Sequence, residues 1–199
     1  MAAKRLFDIV FSILGLLILS PVLLIIYVSI FFESGRPVFF KQERLGRDWR
    51  WFVLYKFRTM DKLVSGQAGC TANNDKRVTN VGRLLRRYKL DEMPQLINVL
   101  KGDMSFVGPR PELLRFAKHY SDVYNQILQI KPGITDIAAI KYKNENVLLN
   151  GVYSDDLEHV YLSEILPKKL EYSMEYLKKR NFFYDLKLIF QTIFIVVFK

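Results

Sequence analysis

The chain has little cysteine and little histidine: Cys70 is the single cysteine, and His119 and His159 are the only histidines. One thiol excludes both an internal disulfide and a cysteine-rich zinc cluster. The histidines lie in helical patterns without the spacing of metal ligands, so both fit ordinary helix residues. Cys70 lies in a polar stretch and is best explained as a free thiol in a reducing cytoplasm.

Negative charge is also scarce, because 20 acidic residues face 30 lysines and arginines, for a formal net charge of +10. A basic balance of this size suits anionic partners, which are nucleic acid, phosphate-rich small molecules or an anionic membrane surface. Half of the residues are hydrophobic, which excludes a disordered chain. The length of 199 residues fits one globular unit with an appendage.

The N-terminal segment Leu6–Phe32 is almost wholly apolar, and it lacks the short apolar region and cleavage site of a signal peptide. Its length would allow a helix to span a bilayer. Ser20-Pro21 interrupts it, and a proline there predicts a kink or break. Basic residues flank the segment on both sides, and such flanks prefer the cytoplasmic face. A spanning helix and a re-entrant helix both remain open from the residues themselves.

The remaining sequence predicts a helix-rich α/β body. Short strands are predicted at Val38–Phe40 and Trp51–Tyr55, joined by a polar turn at 45–48. A mobile loop is predicted at 61–80. Helices are predicted at Val81–Tyr88, Asp91–Leu100, Glu112–Gln129, Leu157–Lys179 with a break near Pro167, and Phe182–Phe198.

The predicted C-terminal helix Phe182–Phe198 is apolar but carries polar residues, among them Asp185 and Lys187. It is short and polar for a span, which favours an interfacial or core helix. The chain is therefore divided into a membrane segment, 1–35, and a catalytic body facing the cytoplasm, 36–199.

The adjacent carboxylates Asp91 and Glu92 are the first candidates for chemistry. Acids also favour the first turn of any helix, so a structural explanation is available. Their setting argues for more, because arginines and lysines lie before and after the pair, and carboxylates among cations suit Mg²⁺ and phosphate. These cations are Arg83, Arg86, Arg87, Lys89, Lys101 and Arg110.

Arg110 stands between Pro109 and Pro111, which restrict its backbone before any ligand arrives. Its guanidinium is therefore a candidate phosphate clamp. A solvated arginine on a surface loop explains the residue equally well at this point. Lys56 and Arg58 alternate with aromatic residues at strand spacing, which predicts two cations on one face. A plain amphipathic strand explains this pattern as well. The same mixture of aromatic and basic residues is found in nucleic-acid-binding proteins, but the apolar N-terminus favours a membrane partner and no nucleic acid.

Taken together, several segments resemble the monotopic phosphoglycosyl transferases, bacterial enzymes that begin glycoconjugate assembly on polyprenyl phosphate. The similarity is strongest over residues 4–135, and the run Asp91–Pro111 is its most specific part. The segments are Lys4–Asp8, Ser20-Pro21, Tyr55–Met60, Leu90–Leu96, Asn98–Ser105 and Phe106–Pro111.

This resemblance implies a re-entrant helix broken at Ser20-Pro21, at the cytoplasmic face of the bacterial inner membrane. It implies a UDP-sugar donor, polyprenyl (undecaprenyl) phosphate as the acceptor, surrounding membrane lipids, and Mg²⁺ as the cofactor. Asp91 would be the nucleophile and a Mg²⁺ ligand, forming a phosphosugar-aspartyl intermediate and UMP, and polyprenyl phosphate would then attack that intermediate. Glu92 would assist metal or proton handling. Further candidates for phosphate contact are Lys56, Arg58 and Arg86.

The chain departs from the family pattern in two places. Many members continue after Pro-Gly-Ile-Thr with Gly-Trp-Ala-Gln-Val, whereas here Asp136–Ile140 follows Thr135. The donor sugar therefore stays open. Some members carry an aspartate upstream of the position of Asp185, where this chain has Ser173, so a role for Asp185 carries over only weakly.

Two alternatives to this reaction remain open from the sequence. One is direct transfer through a ternary complex, without a covalent intermediate. The other is a non-catalytic membrane scaffold for anionic lipids, which leaves the combination of Asp91-Glu92 with Pro-Arg-Pro unexplained.

Overall fold

The computed structural model describes residues 2–61, 77–141 and 157–198. Cys70 and most of the loop predicted at 61–80 lie outside these described residues, and both predictions stay predictions.

The first element, α1 (Ala2–Ser34), is an apolar helix of 33 residues, about 50 Å long at the usual helical rise. Among the described residues it is the one helix long and apolar enough to cross a membrane. Pro21 lies inside it, so the predicted break does not interrupt the helix. The carbonyl of Leu17, four residues before Pro21, instead accepts a hydrogen bond from Ser20 Oγ at 2.7 Å. This bond replaces the one that proline removes.

Both ends of α1 contact the same globular body. Near its start, Arg5 donates to the carbonyls of Val99 and Leu100 at 2.6 and 2.8 Å. Near its end, Ile26 and Ile30 are buried in an apolar cluster of the body. The opposite face of α1 exposes large hydrophobic side chains, among them Leu6, Phe11, Leu17, Ile18, Leu24, Ile25 and Phe32.

An antiparallel hairpin follows, formed by β1 (Phe39–Leu45) and β2 (Trp51–Phe57). Both strands are longer than predicted, because the polar residues of β1 continue the ladder opposite β2. Alternation places Phe52 and Leu54 of β2 in a buried cluster with Val99 and Met104. This packing fixes the hairpin against the helix that follows the Asp91-Glu92 pair.

The predicted helix Asp91–Leu100 is wrong at its start. After α2 (Asn80–Arg87), Leu90–Glu92 forms a single 3₁₀ turn, and α3 spans only Gln95–Lys101. Lys89 adopts a left-handed conformation (φ 53°), which separates the turn from α2. α3 ends as predicted at Gly102, whose φ of 92° favours glycine.

A second sheet pairs β3 (Ser105–Val107) in parallel with β4 (Gly133–Thr135). Gly108 and Gly133 meet here so closely that a Cβ on Gly133 would lie 2.1 Å from Gly108 N. Only glycine allows this approach. It holds the start of the Pro-Arg-Pro loop against β4.

The predicted helix Glu112–Gln129 is divided into α4 (Leu114–Ala117), a 3₁₀ turn, and α5 (Ser121–Ile127). α6 (Ile137–Lys141) follows β4. The predicted stretch Leu157–Lys179 is helical throughout: α7 (Leu157–Val160), a π-helical turn at Tyr161–Ile165, and α8 (Leu166–Lys179) with Pro167 in its first turn. The break predicted near Pro167 therefore does not interrupt the helix. Pro167 follows the π-helical turn, where the regular hydrogen-bond pattern of the α-helix is already altered.

The last helix, α9 (Phe182–Val197), exposes several aromatic side chains and buries Leu188 against the body. The described fold is thus a helix-rich α/β body with one long apolar N-terminal helix. The boundary at 35/36 fits the end of α1 and stays a prediction.

Candidate active site

The Leu90–Glu92 turn presents two adjacent carboxylates with different surroundings. Glu92 Oε1 accepts hydrogen bonds from Lys56 Nζ and from Arg110 Nη2, both at 2.7 Å. The Glu92 side chain is only 13% exposed, so these charge-assisted bonds are strong. The structure therefore brings together four of the predicted site residues, Asp91, Glu92, Lys56 and Arg110.

The electrostatics separate the two acids. Burial alone would raise the pKa of Glu92, but the charges of Arg110 and Lys56 outweigh it and hold that pKa well below its usual range. The pKa of Asp91 is instead raised, first by burial and second by the negative charge of Glu92. Glu92 is thus stabilised as an anion, whereas the pKa of Asp91 is raised above its ordinary value.

Lys56 is positioned by a buried residue that sequence reasoning did not single out. Asn98 of α3 is fully buried, donates from Nδ2 to the carbonyl of Val53 at 2.7 Å, and accepts from Tyr55 N at 3.1 Å. These bonds tie α3 to β2 one residue before Lys56. The sequence does contain a signal for this role, which is an asparagine among the apolar residues of a helix. A buried amide needs hydrogen-bonding partners from neighbouring elements.

Arg110 lies between two buried prolines, Pro109 and Pro111, and its own side chain is 41% exposed. Beside it lies a buried network that sequence reasoning also missed. Arg44 Nη1 donates to Pro111 O at 3.3 Å and to Glu112 Oε1 at 3.2 Å. Tyr161 OH donates to Glu112 Oε2 at 2.6 Å. The guanidinium of Arg110 is therefore exposed, while the backbone that follows it is held in place by these hydrogen bonds.

Of the other predicted cations, Arg86 lies near the site and Arg58 does not. Arg86 Nε donates to Thr59 Oγ1 at 2.9 Å, and its charge lowers the pKa of Asp91 against the effect of burial. Arg58 Nη2 donates to the carbonyls of Ser34 and Gly35, at 2.6 and 2.7 Å. Because Arg58 lies beyond the end of β2, it does not share the face of Lys56, and it caps the end of α1.

Asp136, the first residue after the family's Pro-Gly-Ile-Thr, is also near the site. It is buried and accepts from the backbone N–H of Ala139 at the start of α6. Burial raises its pKa, and Arg110 is the strongest charge opposing that shift. The charge of Arg110 thus acts on Glu92 and on a second carboxylate, Asp136.

Asp185 takes part in a different cluster. Its carboxylate pairs with Lys4 of α1 and accepts from Tyr176 OH at 2.7 Å. Lys4 Nζ also donates to the carbonyl of Val107 at 2.9 Å. These contacts tie the start of α1 to α9 and β3, which gives Asp185 a structural role away from Asp91.

The side chains of the site can be compared with those that usually bind Mg²⁺. In the described part of the chain, no group of three or more acidic, histidine or cysteine side chains could hold a metal ion. Mg²⁺ is commonly held by one or two carboxylates together with substrate phosphates. Asp91 is a carboxylate without the pair of hydrogen-bonded cations that Glu92 has, so it fits that pattern.

The chain matches the family described as "Bacterial sugar transferase" over residues 1–199. A carboxylate pair held by basic residues, next to a long apolar helix, fits that membership, and the chain belongs to this family.

Relatives carry more specific names. The chain is 38% identical to the UDP-glucose:undecaprenyl-phosphate glucose-1-phosphate transferase of Escherichia coli (strain K12), over 96% of this chain and 39% of that protein. It is 34% identical to the UDP-N-acetylgalactosamine-undecaprenyl-phosphate N-acetylgalactosaminephosphotransferase of Aeromonas hydrophila, over 96% and 42%. It is 37% identical to the uncharacterized sugar transferase EpsL of Bacillus subtilis (strain 168), over 97% and 86%. The chain spans about two fifths of the length of the first two relatives.

Proposed function

We propose that this protein transfers a phospho-sugar from a UDP-sugar to undecaprenyl or another polyprenyl phosphate, with release of UMP. The observation that carries the proposal is the Asp91-Glu92 pair, in which Lys56 and Arg110 both hold Glu92 at 2.7 Å. The names of the relatives support the same reaction class.

Asp91 is the proposed nucleophile. Its carboxylate oxygen forms a bond to the β-phosphorus of the donor, the bond from that phosphorus to the bridging oxygen breaks, and UMP leaves with the electron pair. A phosphate oxygen of the acceptor then attacks the same phosphorus, which restores Asp91 and yields polyprenyl-diphosphate-sugar. Covalent catalysis of this kind divides one displacement into two easier ones.

The choice of Asp91 over Glu92 follows from their partners. Glu92 accepts from two cations, and attack through Oε1 would cost both bonds. Asp91 lies next to it on the same turn, so Lys56 and Arg110 remain close enough to attract the phosphates of the donor. Neutralising those phosphates reduces the repulsion between an anionic nucleophile and a pyrophosphate.

Mg²⁺ is the proposed cofactor, with Asp91 as its protein ligand. When bound together with substrate phosphate oxygens, it would add positive charge where the leaving UMP gains negative charge. Arg110 and Lys56 supply the remaining positive charge from the chain itself.

The proposed setting is the cytoplasmic face of the inner membrane, with α1 as a re-entrant helix. Lys4 and Arg5 at one end of α1, and Ser34 at the other, all bond to the same body. A helix that crossed the bilayer would place one end on the far side, away from these partners. The bond from Ser20 to Leu17 satisfies the carbonyl that Pro21 leaves without its helical partner, so a bend at Pro21 would be tolerated in lipid, where a carbonyl without a partner is costly.

The activity is tested by UMP release from a panel of UDP-sugars, including UDP-glucose and UDP-N-acetylgalactosamine, with undecaprenyl phosphate and Mg²⁺. We expect release by the wild-type chain and a loss of at least 1,000-fold, on the order expected for a covalent nucleophile, in Asp91→Asn. Asp122→Asn, the same change on the exposed start of α5, should keep full activity.

The covalent step is separated from direct transfer by omitting the lipid. A donor radiolabelled in its sugar should then label the wild-type protein and not Asp91→Asn. UMP release with lipid but no labelled protein would favour the ternary-complex mechanism, whereas lipid binding without UMP release would favour the scaffold.

A further inference from the structure

The face of the hairpin that carries Lys56 also carries Gln42, a residue with no role in the site so far. In the register of the hairpin, Phe40 lies opposite Lys56, Gln42 opposite Leu54, and Arg44 opposite Phe52. Side chains at alternate positions share one face of a sheet. Gln42 therefore shares a face with Lys56 and Arg44. It is the diagonal neighbour of Lys56 and lies two residues before Arg44. Gln42 is half-buried.

Arg44 fixes the orientation of the Gln42 amide. Its Nε and Nη2 atoms donate to Gln42 Oε1 at 3.1 and 2.6 Å. Because a guanidinium only donates, the amide oxygen must face Arg44, and the amide NH₂ group must point away from it. Within the residues that the structure describes, Gln42 Nε2 donates no hydrogen bond.

The position of this NH₂ group relates it to the reacting centre. On one side, Lys56 bonds to Glu92, the neighbour of Asp91. On the other, Arg44 bonds to Pro111 O, next to Arg110. Diagonal neighbours on paired strands are about 7–8 Å apart, so Gln42 is roughly one sugar ring away from Lys56, one of the two cations that hold Glu92.

We propose that the Gln42 amide donates a hydrogen bond to a hydroxyl oxygen of the donor sugar. The sugar is joined through a single oxygen to the phosphorus that Asp91 attacks, whereas the uracil is separated from that phosphorus by a second phosphate and the ribose. A neutral donor fits a neutral hydroxyl, while the cations beside it fit the phosphates. This inference rests on the proposed function, because it assumes a UDP-sugar with its β-phosphate at Asp91.

The test is equilibrium binding to the full-length chain in detergent, in the non-reacting Asp91→Asn background. The ligands are UDP and the UDP-sugar that gives the fastest UMP release with the wild type. Gln42→Met removes the NH₂ group and keeps the side-chain length, and Gln42→Glu removes it while keeping an acceptor for Arg44. Gln126→Glu on α5, exposed to solvent, is the control for the added charge.

We expect Gln42→Met to weaken UDP-sugar binding about five- to tenfold, the usual effect of one neutral hydrogen bond, and to leave UDP binding within twofold. Gln42→Glu should lose the same preference for UDP-sugar over UDP. An equal loss for both ligands would overturn the inference, since Gln42 would then act through Arg44 on the phosphates. Unchanged binding of both ligands would overturn it as well.

Failure of the proposed function gives a different result. If no UDP-sugar yields UMP with the wild type, the transferase proposal itself is contradicted. If the wild type releases UMP and the Gln42 variants bind like their parent, only the sugar contact is contradicted.

Discussion

At the scale of single residues, Asp91 and Glu92 are adjacent in sequence, but their pKa values are shifted in opposite directions. Glu92 is stabilised as an anion by two cations, and Asp91 is destabilised as an anion by burial and by Glu92. A nucleophilic carboxylate must be deprotonated to attack, so the raised pKa of Asp91 has a consequence for the reaction.

The first half-reaction should fail in acid at a pH above the ordinary aspartate value of about 3.9. UMP release in a single turnover without lipid measures this step, since the phosphate of the acceptor does not then titrate in the assay. The rate should rise with pH as Asp91 loses its proton. A rate that stays constant down to pH 4, in a protein that thermal unfolding shows to be folded, would contradict the prediction that the raised pKa of Asp91 limits this step.

The same shift predicts a stability effect. Because the folded-state pKa of Asp91 lies above its unfolded value, its contribution to stability is fully present below the unfolded pKa and is lost as the pH rises through the folded pKa. Asp91→Asn removes this loss, so the variant should melt at a higher temperature than the wild type at pH 7 and show little difference near pH 4. Melting curves across that range measure it, with Asp122→Asn as the control.

At the scale of elements, the Pro-Arg-Pro loop is held by the buried contact between Glu112 and Tyr161. Tyr161→Phe leaves Glu112 Oε2 without this donor, so the loop and Arg110 should lose their fixed position. We expect UMP release to fall about three- to tenfold, on the scale of one hydrogen bond. Tyr120→Phe is the matched control, because the Tyr120 hydroxyl donates a hydrogen bond of 2.7 Å to Leu162 O and not to Glu112. Equal rates for the two variants would contradict the positioning role.

α2 is held against the residues after β2 by a glycine. A Cβ on Gly82 would lie 2.2 Å from the carbonyl oxygen of Thr59, and backbone cannot move away as a flexible side chain can. Gly82→Ala should therefore lower the free energy of unfolding by about 1–3 kcal/mol. Gly15→Ala in α1 would meet only the end of the Leu96 side chain, at 3.2 Å, and should be nearly neutral. Chemical unfolding in detergent measures the free energies of unfolding of the two variants.

At the scale of the whole molecule, the position of α1 decides where the site lies. The contacts of both helix ends with one body predict that both ends face the same compartment. In a Cys70→Ser background, Ala2→Cys should resist an impermeant thiol reagent in intact cells and react after permeabilisation. Asp122→Cys on the body is the control for the cytoplasmic side. Labelling of position 2 in intact cells would contradict the re-entrant helix.

Much of the architecture could be predicted from local pattern. The apolar run, the hairpin, α2 and the end of α3 at Gly102 follow from periodicity and turn chemistry. The start of α3 could not, because acids next to a proline fit both a helix start and a separate 3₁₀ turn. The division of 112–129 into short helices also depends on packing that periodicity does not report.

The sequence by itself determined that acids, arginines and an apolar helix belong to one protein with a phosphate chemistry, since these depend on residue types and spacing. Only the tertiary structure decided which cations meet Glu92. Lys56 and Arg110 reach it from distant parts of the chain, while Arg58, two residues after Lys56, caps α1 instead. The physical reason is that buried hydrogen-bonding partners, such as Asn98 for β2 and Glu112 for Arg44, orient side chains through contacts between elements, and these contacts leave no local pattern in the sequence.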